Sequence, residues 1–219
     1  MPEVAIVDYG MGNLFSVNRA CAQVGLDSII TDSAREIAAA DAVILPGVGA
    51  FGDAMTALRQ RGLVDVLREA AAREKPLLGI CLGMQLLMSV SEEFGRHEGL
   101  GIIEGEVIRL TVDSGFKVPH VGWNQLRQSP GALWQHSLLN GLADGEFMYF
   151  VHSFCVKPKL PQLALATTHY GTFEFCSSLA HGQVFACQFH PERSGRQGLQ
   201  IYRNFAVRIK GSLIEAHHR

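Results

Sequence analysis

The sequence predicts an α/β fold, a three-layer sandwich whose largely parallel central sheet is extended by antiparallel strands. Three observations carry this. Up to residue 80 short apolar runs alternate with helical patterns, and strands separated by helices of that length pair in parallel with helices on both faces. Beyond residue 100 the chain becomes β-rich with glycine turns, the pattern of antiparallel strands that continue or flank the sheet. The 219 residues are 47% hydrophobic and 18% charged, with no repeat, low-complexity tract or linker-like shift. That is the composition of a globular chain burying one sizeable core, so residues 1–219 read as a single domain.

The elements follow in order. VAIVDYG (4–10) reads as the first strand. In NLFSVNRACAQVG (13–25) Leu14, Val17, Cys21 and Val24 fall at helical spacing, and Gly25 offers a stop. SIIT (28–31) and AVILP (42–46) are the second and third strands, residues 53–74 a helix interrupted at Gly62, and PLLGI (76–80) the fourth strand. LGMQLL after Cys81 reads as a helix start, with Met84, Leu86 and Leu87 in the core. EVIRLTV, FMYFVHSFCV, LALATTHYG, TFEFCSSLAHG and QVFACQFH read as strands of the second half. A last helix carries Leu199, Tyr202, Ala206 and Ile209 on one face.

Charge and cysteine content exclude several classes. A net charge of −2 without Lys/Arg runs leaves no footprint for nucleic acid or an anionic membrane. The longest uncharged run, 76–91, is shorter than the ~20 residues of a spanning helix. The N-terminus lacks the basic region of a signal peptide. Five irregularly spaced cysteines point to reduced thiols and a cytoplasmic location. No CxxC or HExxH occurs and the nine histidines show no ligand spacing, so no metal site and no cofactor are expected.

GICLG (79–83) places Cys81 between two glycines where a strand meets a helix. This copies the G-x-S-x-G elbow, in which a tight turn exposes a nucleophile and the glycines keep its neighbours clear. Free N–H groups and the positive end of the next helix would favour the thiolate. A buried structural thiol is the competing reading. QFHPE (188–192) offers a base and its orienter. In extended backbone His190 and Glu192 point to the same side, and Pro191 supports that shape. Glu192 can then hold the imidazole tautomer, as the acid does in other triads.

These two motifs resemble those of the triad-type, class I glutamine amidotransferases. DYGMGNLFSV (8–17), PGVGAF (46–51), PHVGWN (119–124), YFVHSF (149–154) and TTHYG (167–171) bring the resemblance closer to the glutaminase subunits of imidazole glycerol phosphate synthases. It implies glutamine hydrolysis through Cys81, His190 and Glu192 and a γ-glutamyl thioester, with oxyanion donors at Leu82 and at Val48 or Gly49. It places the ammonium ligand on Glu93 and backbone contacts on Ser153 and Phe154. Gln85, one helical turn past Cys81, can also reach the substrate. A solvated charge at a helix end is the other reading of Glu93. The implied partner is a (β/α)₈-barrel cyclase, forming a heterodimer and using the ammonia in histidine biosynthesis. Trp123 and Tyr149 are candidates for that interface or for the core. Arg193 and Asn13 are assigned with them, although the family usually has Lys where Arg193 stands, and GMGN (10–13) also reads as a plain turn capped by Asn13.

Rival readings remain at this point: a glutaminase serving a different ammonia-using synthase, a scaffold with a decayed site, and a dinucleotide-binding oxidoreductase. GVGAFG (47–52) is a literal G-x-G-x-x-G between a strand and a helix. The fingerprint also needs an acid ending the next strand, and that strand ends at Cys81.

Overall fold

The computed structural model describes residues 3–217, with the side chains of 215–217 left aside. The first half runs β1 (Glu3–Val7), α1 (Leu14–Gln23), β2 (Asp27–Thr31), α2 (Ala34–Ala39), β3 (Ala42–Gly47), α3 (Phe51–Gln60), α4 (Leu63–Ala72), β4 (Leu77–Cys81) and α5 (Leu82–Leu86). Next come β5 (Val90–Ser91), β6 (His97–Glu98), β7 (Gly105–Arg109), β8 (His120–Gln125), β9 (Arg127–Gln128) and β10 (Phe147–His152). The chain ends with β11 (Phe154–Pro158), β12 (Ala164–Tyr170), β13 (Phe173–His181), β14 (Val184–Cys187) and α6 (Gly195–His217).

The main sheet has the order β2-β1-β3-β4-β14-β13-β11-β7-β5-β6, with β12 and then β9 added beside β13. Strands β2, β1, β3, β4 and β14 are parallel, while β13, β11 and β12 join through antiparallel pairs. Alternation along β1 sends Ala5 and Val7 to one face and Val4 and Ile6 to the other. Helices α2 to α5 cover the first face, and α1 and α6 the second. This is the expected three-layer arrangement.

Several local expectations are corrected. The helix expected over 53–74 begins at Phe51 and is two helices, because Gly62 takes a left-handed conformation (φ 68°, ψ 26°). The sequence reading passed over α2, a short helix capped by the Ser33 side chain. FMYFVHSFCV is two strands: β10 pairs with β8 in a separate two-stranded sheet, and β11 enters the main sheet. The break at Ser153 turns the chain from one sheet to the other. QVFACQFH supplies β14, which runs parallel to β4 and antiparallel to β13. Two flanking strands bury it on both sides, so its near-continuous apolar pattern is that of a central strand.

The elbow depends on missing side chains. A β-carbon on Gly83 would lie 1.7 Å from the Leu45 carbonyl oxygen, and one on Gly79 3.2 Å from the Gly83 backbone. The first turn of α5 therefore rests directly on β3 and β4. Gly211, on α6, has open space around its β-position. Gly83→Ala is expected to destabilise the fold by about 3 kcal/mol, since backbone rather than a flexible side chain must yield. Gly211→Ala should instead stabilise it by about 1 kcal/mol, as an ordinary helix substitution. Urea midpoints of the two variants check both signs.

Candidate active site

Cys81 ends β4 with φ 54° and ψ −109°, a conformation that costs a non-glycine residue energy and recurs at functional turns. The residue is 5% exposed, and its sulfur sits 3.8 Å from the Val151 carbonyl and 3.6 Å from Gln188 Nε2, which donates to it. Helix α5 has only five residues, so its macrodipole is small. What it offers the sulfur is the unpaired N–H groups of a first turn.

His190 and Glu192 meet as the motif requires, but by a different backbone route. Pro191–Arg193 is a turn of 3₁₀ helix, not extended chain, and it brings His190 Nδ1 to 2.8 Å from Glu192 Oε1. Both side chains are almost fully buried. His190 is fixed by its own backbone as well: its N–H donates to the Tyr149 carbonyl at 2.9 Å, and its carbonyl accepts from Ser194 Oγ at 2.7 Å. Its Nε2 is buried without a well-formed hydrogen bond and faces the Cys81 sulfur. Burial alone would lower the His190 pKa. The Cys81 sulfur and then Glu192 outweigh it and raise the value from 6.5 to about 10. The imidazole is thus held as a proton donor at neutral pH.

A cavity of about 260 Å³ opens on the sulfur, lined by Val48, Gly49, Leu82, Gln85, Glu93, Pro119, Val151, His152, Ser153 and Phe154. The structure so gathers, from segments far apart in the chain, every oxyanion and substrate residue expected from the sequence. Gln85 Nε2 donates to the Phe154 carbonyl (2.9 Å) and to Gln188 Oε1 (3.1 Å), which leaves Gln85 Oε1 as the acceptor available to a ligand. Glu93 is buried, which overturns the reading as a solvated charge. Its Oε2 accepts the Phe51 N–H at 2.7 Å, at the start of α3. That carboxylate occupies the helix end where a dinucleotide pyrophosphate would have to sit, so the GVGAFG loop is not arranged as a phosphate cradle. A larger cleft lined by residues of β7, β11, β12 and β13 does not include Cys81, and its lysines are engaged in Lys157–Glu106 (3.0 Å) and Lys159–Glu104 (2.5 Å) pairs.

Trp123 is 55% exposed, which rules out the core reading. It meets Tyr149 edge to face at 6.0 Å, and the Arg193 guanidinium lies 4.3 Å above the Tyr149 ring. Asn13 is exposed and its Oδ1 caps α1 through the Ser16 N–H. The turn before it packs on the PGVG loop, since a β-carbon on Gly49 would lie 2.5 Å from Met11. Sequence reasoning missed Gln188 and the histidines His120 and His152. Each lay inside a quoted motif, Gln188 in QFHPE, His120 in PHVGWN and His152 in YFVHSF, but no spacing in the chain marks the two histidines as a pair.

A cysteine on a strained strand-to-helix turn, a buried His–Glu pair beside it and an amino-acid-sized cavity on an α/β sheet define a thiol-dependent acyl-transfer class. Residues 5–209 match the family Glutamine amidotransferase class-I, and the chain belongs to that family. It is 50% identical to imidazole glycerol phosphate synthase subunit HisH of Moorella thermoacetica (96% of this chain, 97% of that one). Against the HisH subunit of Thermosynechococcus vestitus identity is 48% (95% and 98%). Within the family it therefore belongs with the HisH glutaminase subunits. The fold is also that of a putative GMP synthase protein from Thermoplasma acidophilum, with TM-score 0.73, 20% identity and coverage of 100% and 98%. PurLQS from Thermotoga maritima gives TM-score 0.69 at 21% identity, covering 97% and 99%.

The same site holds two imidazoles of opposite character to His190. Burial lowers His120 from 6.5 to about 4, and burial lowers His152 to about 3. Both are neutral when folded and regain their ordinary basicity when unfolded. Between pH 6.5 and about 3 the unfolded chain binds more protons, so stability must fall as pH falls through that window. His152→Phe is expected to make this acid limb shallower, measured as the urea midpoint at a series of pH values.

Proposed function

We propose that the chain is a glutaminase which hydrolyses glutamine to glutamate and ammonia within one amidotransferase domain, and passes the ammonia to a cyclase subunit of imidazole glycerol phosphate synthase. The observation that carries this reading is the 2.8 Å His190–Glu192 pair beside the strained Cys81, which opens on a cavity of about 260 Å³. The Cys81 thiolate attacks the side-chain amide carbon of glutamine. The oxyanion is met by backbone N–H groups, from Leu82 and from the Val48–Gly49 segment of the PGVG loop. His190, held protonated, gives its proton to the departing ammonia, leaving a γ-glutamyl thioester. Formation of the thioester removes the Cys81 contribution that, with Glu192, kept His190 basic, and the neutral imidazole left after proton transfer can then take a proton from water. The resulting hydroxide cleaves the thioester to glutamate and regenerates Cys81. Glu93 and Gln85 Oε1 receive the substrate ammonium, and the backbone at Ser153 and Phe154 meets the rest of the amino-acid end.

The partner reading is a (β/α)₈-barrel cyclase docked as a heterodimer on the face carrying Trp123, Tyr149, Arg193 and Asn13. Support comes from the exposed Trp123 packed edge to face on the half-buried Tyr149, and from the backbone ties between Tyr149 and the turn that holds His190. Free ammonia protonates in water, so delivery to a second site requires direct docking.

Cys81→Ala should abolish glutamate release while leaving the fold intact, because only a small volume is removed. Glu192→Gln should be milder than His190→Ala, since it weakens orientation and keeps the base. Comparable turnover in the alanine variant of Cys81 would overturn the mechanism.

A second expectation concerns the PGVG loop. Gly49 at φ 115° beside an exposed Val48 lets the peptide between them turn either its carbonyl or its N–H to the sulfur. An N–H donor there is worth about 3 kcal/mol, about two orders of magnitude in rate. A partner and its ligand that favour the donor orientation would therefore raise kcat by up to about a hundredfold. The measurement is kcat of the chain alone, in complex, and in complex with the cyclase ligand. Equal values in all three states would sink the gate and leave the triad standing.

A further inference from the structure

Under the two-stranded sheet lies a chain of polar side chains that the triad chemistry does not use. His120 on β8 and His152 on β10 are cross-strand partners, both buried on the inner face, while Val121 and Trp123 face outward. The direction of every hydrogen bond in the chain is fixed by its two ends. At one end Asn124 Oδ1 accepts the Gln125 N–H (2.8 Å), so Nδ2 faces the His169 carbonyl (2.8 Å) and His120 Nε2 (3.4 Å). At the other end His152 Nδ1 lies 2.9 Å from the Phe154 carbonyl, which only accepts, so Nδ1 carries the proton. His152 Nε2 must then accept from His120 Nδ1 at 3.1 Å, and His120 Nε2 must accept from Asn124. A single tautomer of each ring satisfies all partners. The His120 ring is further clamped between Phe150 and Tyr170, at 5.1 and 4.1 Å between centroids.

The chain continues into the cavity. The Phe154 carbonyl takes its second hydrogen bond from Gln85 Nε2, which also donates to Gln188 Oε1, and Gln188 Nε2 donates to the Cys81 sulfur. We propose that His120 and His152 are positioning residues for glutamine binding: a neutral imidazole pair that holds the Phe154 carbonyl and, through it, the Gln85 and Gln188 carboxamides in the orientation the substrate meets. This rests on the glutaminase reading above and deepens it. With His152 Nδ1 in place, Gln85 Nε2 is committed to the protein and its Oε1 is presented to the cavity. Without it the Phe154 carbonyl has a free lone pair, the break at Ser153 loses its inner tether, and Gln85 can rotate. The pair lies beneath the face assigned to the partner, so docking there presses on the same strands that carry it.

The test uses the full chain together with its cyclase partner. His152→Phe keeps the ring volume and removes both hydrogen bonds. His152→Asn keeps a donor near Nδ1 for the Phe154 carbonyl. Asn124→Leu breaks the chain at a half-buried position remote from the cavity. The expected result is a KM for glutamine raised about tenfold in His152→Phe, with a smaller change in kcat, a lesser rise in Asn124→Leu, and substantial recovery in His152→Asn. Labelling of Cys81 by a chloromethyl ketone analogue of glutamine should slow in step with KM, while labelling by iodoacetamide, which needs no amino-acid subsite and senses only the Gln188–Cys81 contact, should change much less. A folded His152→Phe with unchanged KM overturns the inference, as does equal loss of both labelling reactions, which would mark a purely structural role. Should His152→Phe not fold, unchanged KM in Asn124→Leu, or His152→Asn no better than His152→Ala, overturns it. Absence of glutamine turnover in the unmutated complex would instead strike the glutaminase reading, so the two failures are told apart.

Discussion

At Gly83 the backbone of α5 passes so close to the Leu45 carbonyl that no β-carbon fits between them, and the position of Cys81 follows from that contact. A helix resting directly on the sheet forces the preceding residue into a positive φ, which lifts its side chain off the strand end into the crevice. The same approach brings Gln85, one turn on, over the end of β11, and sets Leu82 beside the PGVG loop. Strands β3, β4 and β14 then present their carboxyl ends together, which is where an open α/β sheet offers a ligand site.

Around that crevice burial lowers the proton affinity of three histidines, and the charges nearby decide the outcome. For His120 and His152 it has no compensating charge, and the rings remain neutral and serve as directional hydrogen-bond links. For His190 the sulfur and the Glu192 carboxylate outweigh burial and keep the ring protonated. One residue type thus supplies a rigid spacer and a proton carrier around a single site, and the difference lies in which charges are near. Glu93 is tolerated in the interior because its Oε2 accepts the first N–H of α3, so the buried carboxyl is not left without a partner.

The small sheet of β8 and β10 ties these parts to the surface. Its outer side carries the exposed aromatic residues, its inner side the neutral histidine pair, and the Tyr149 backbone is bonded to His190 and Ser194. A force on this sheet reaches the base and the substrate subsite through hydrogen bonds rather than through loose packing. That is a physical route for coupling a docked partner subunit to the chemistry.

Much of this was legible in the chain itself. Short apolar runs mark β1 to β4, helical spacing marks α1, the two glycines about Cys81 mark the elbow, and His190-Pro-Glu192 offers a candidate base and its orienter, because each of these is a local feature. The route between His190 and Glu192 was misread, since Pro191 permits a 3₁₀ turn as readily as extended chain and only the packing of Ser194 against Tyr149 chooses. The parallel insertion of β14, the break at Ser153, the burial of Glu93 against Phe51 and the His120–His152 pair depend on residues far apart in the chain. Local sequence determined which segments are strand or helix and which side chains are chemically able to act. Only the tertiary structure decided which of them meet, because strand order and burial are set by contacts between distant segments, and burial in turn sets the charge each side chain carries.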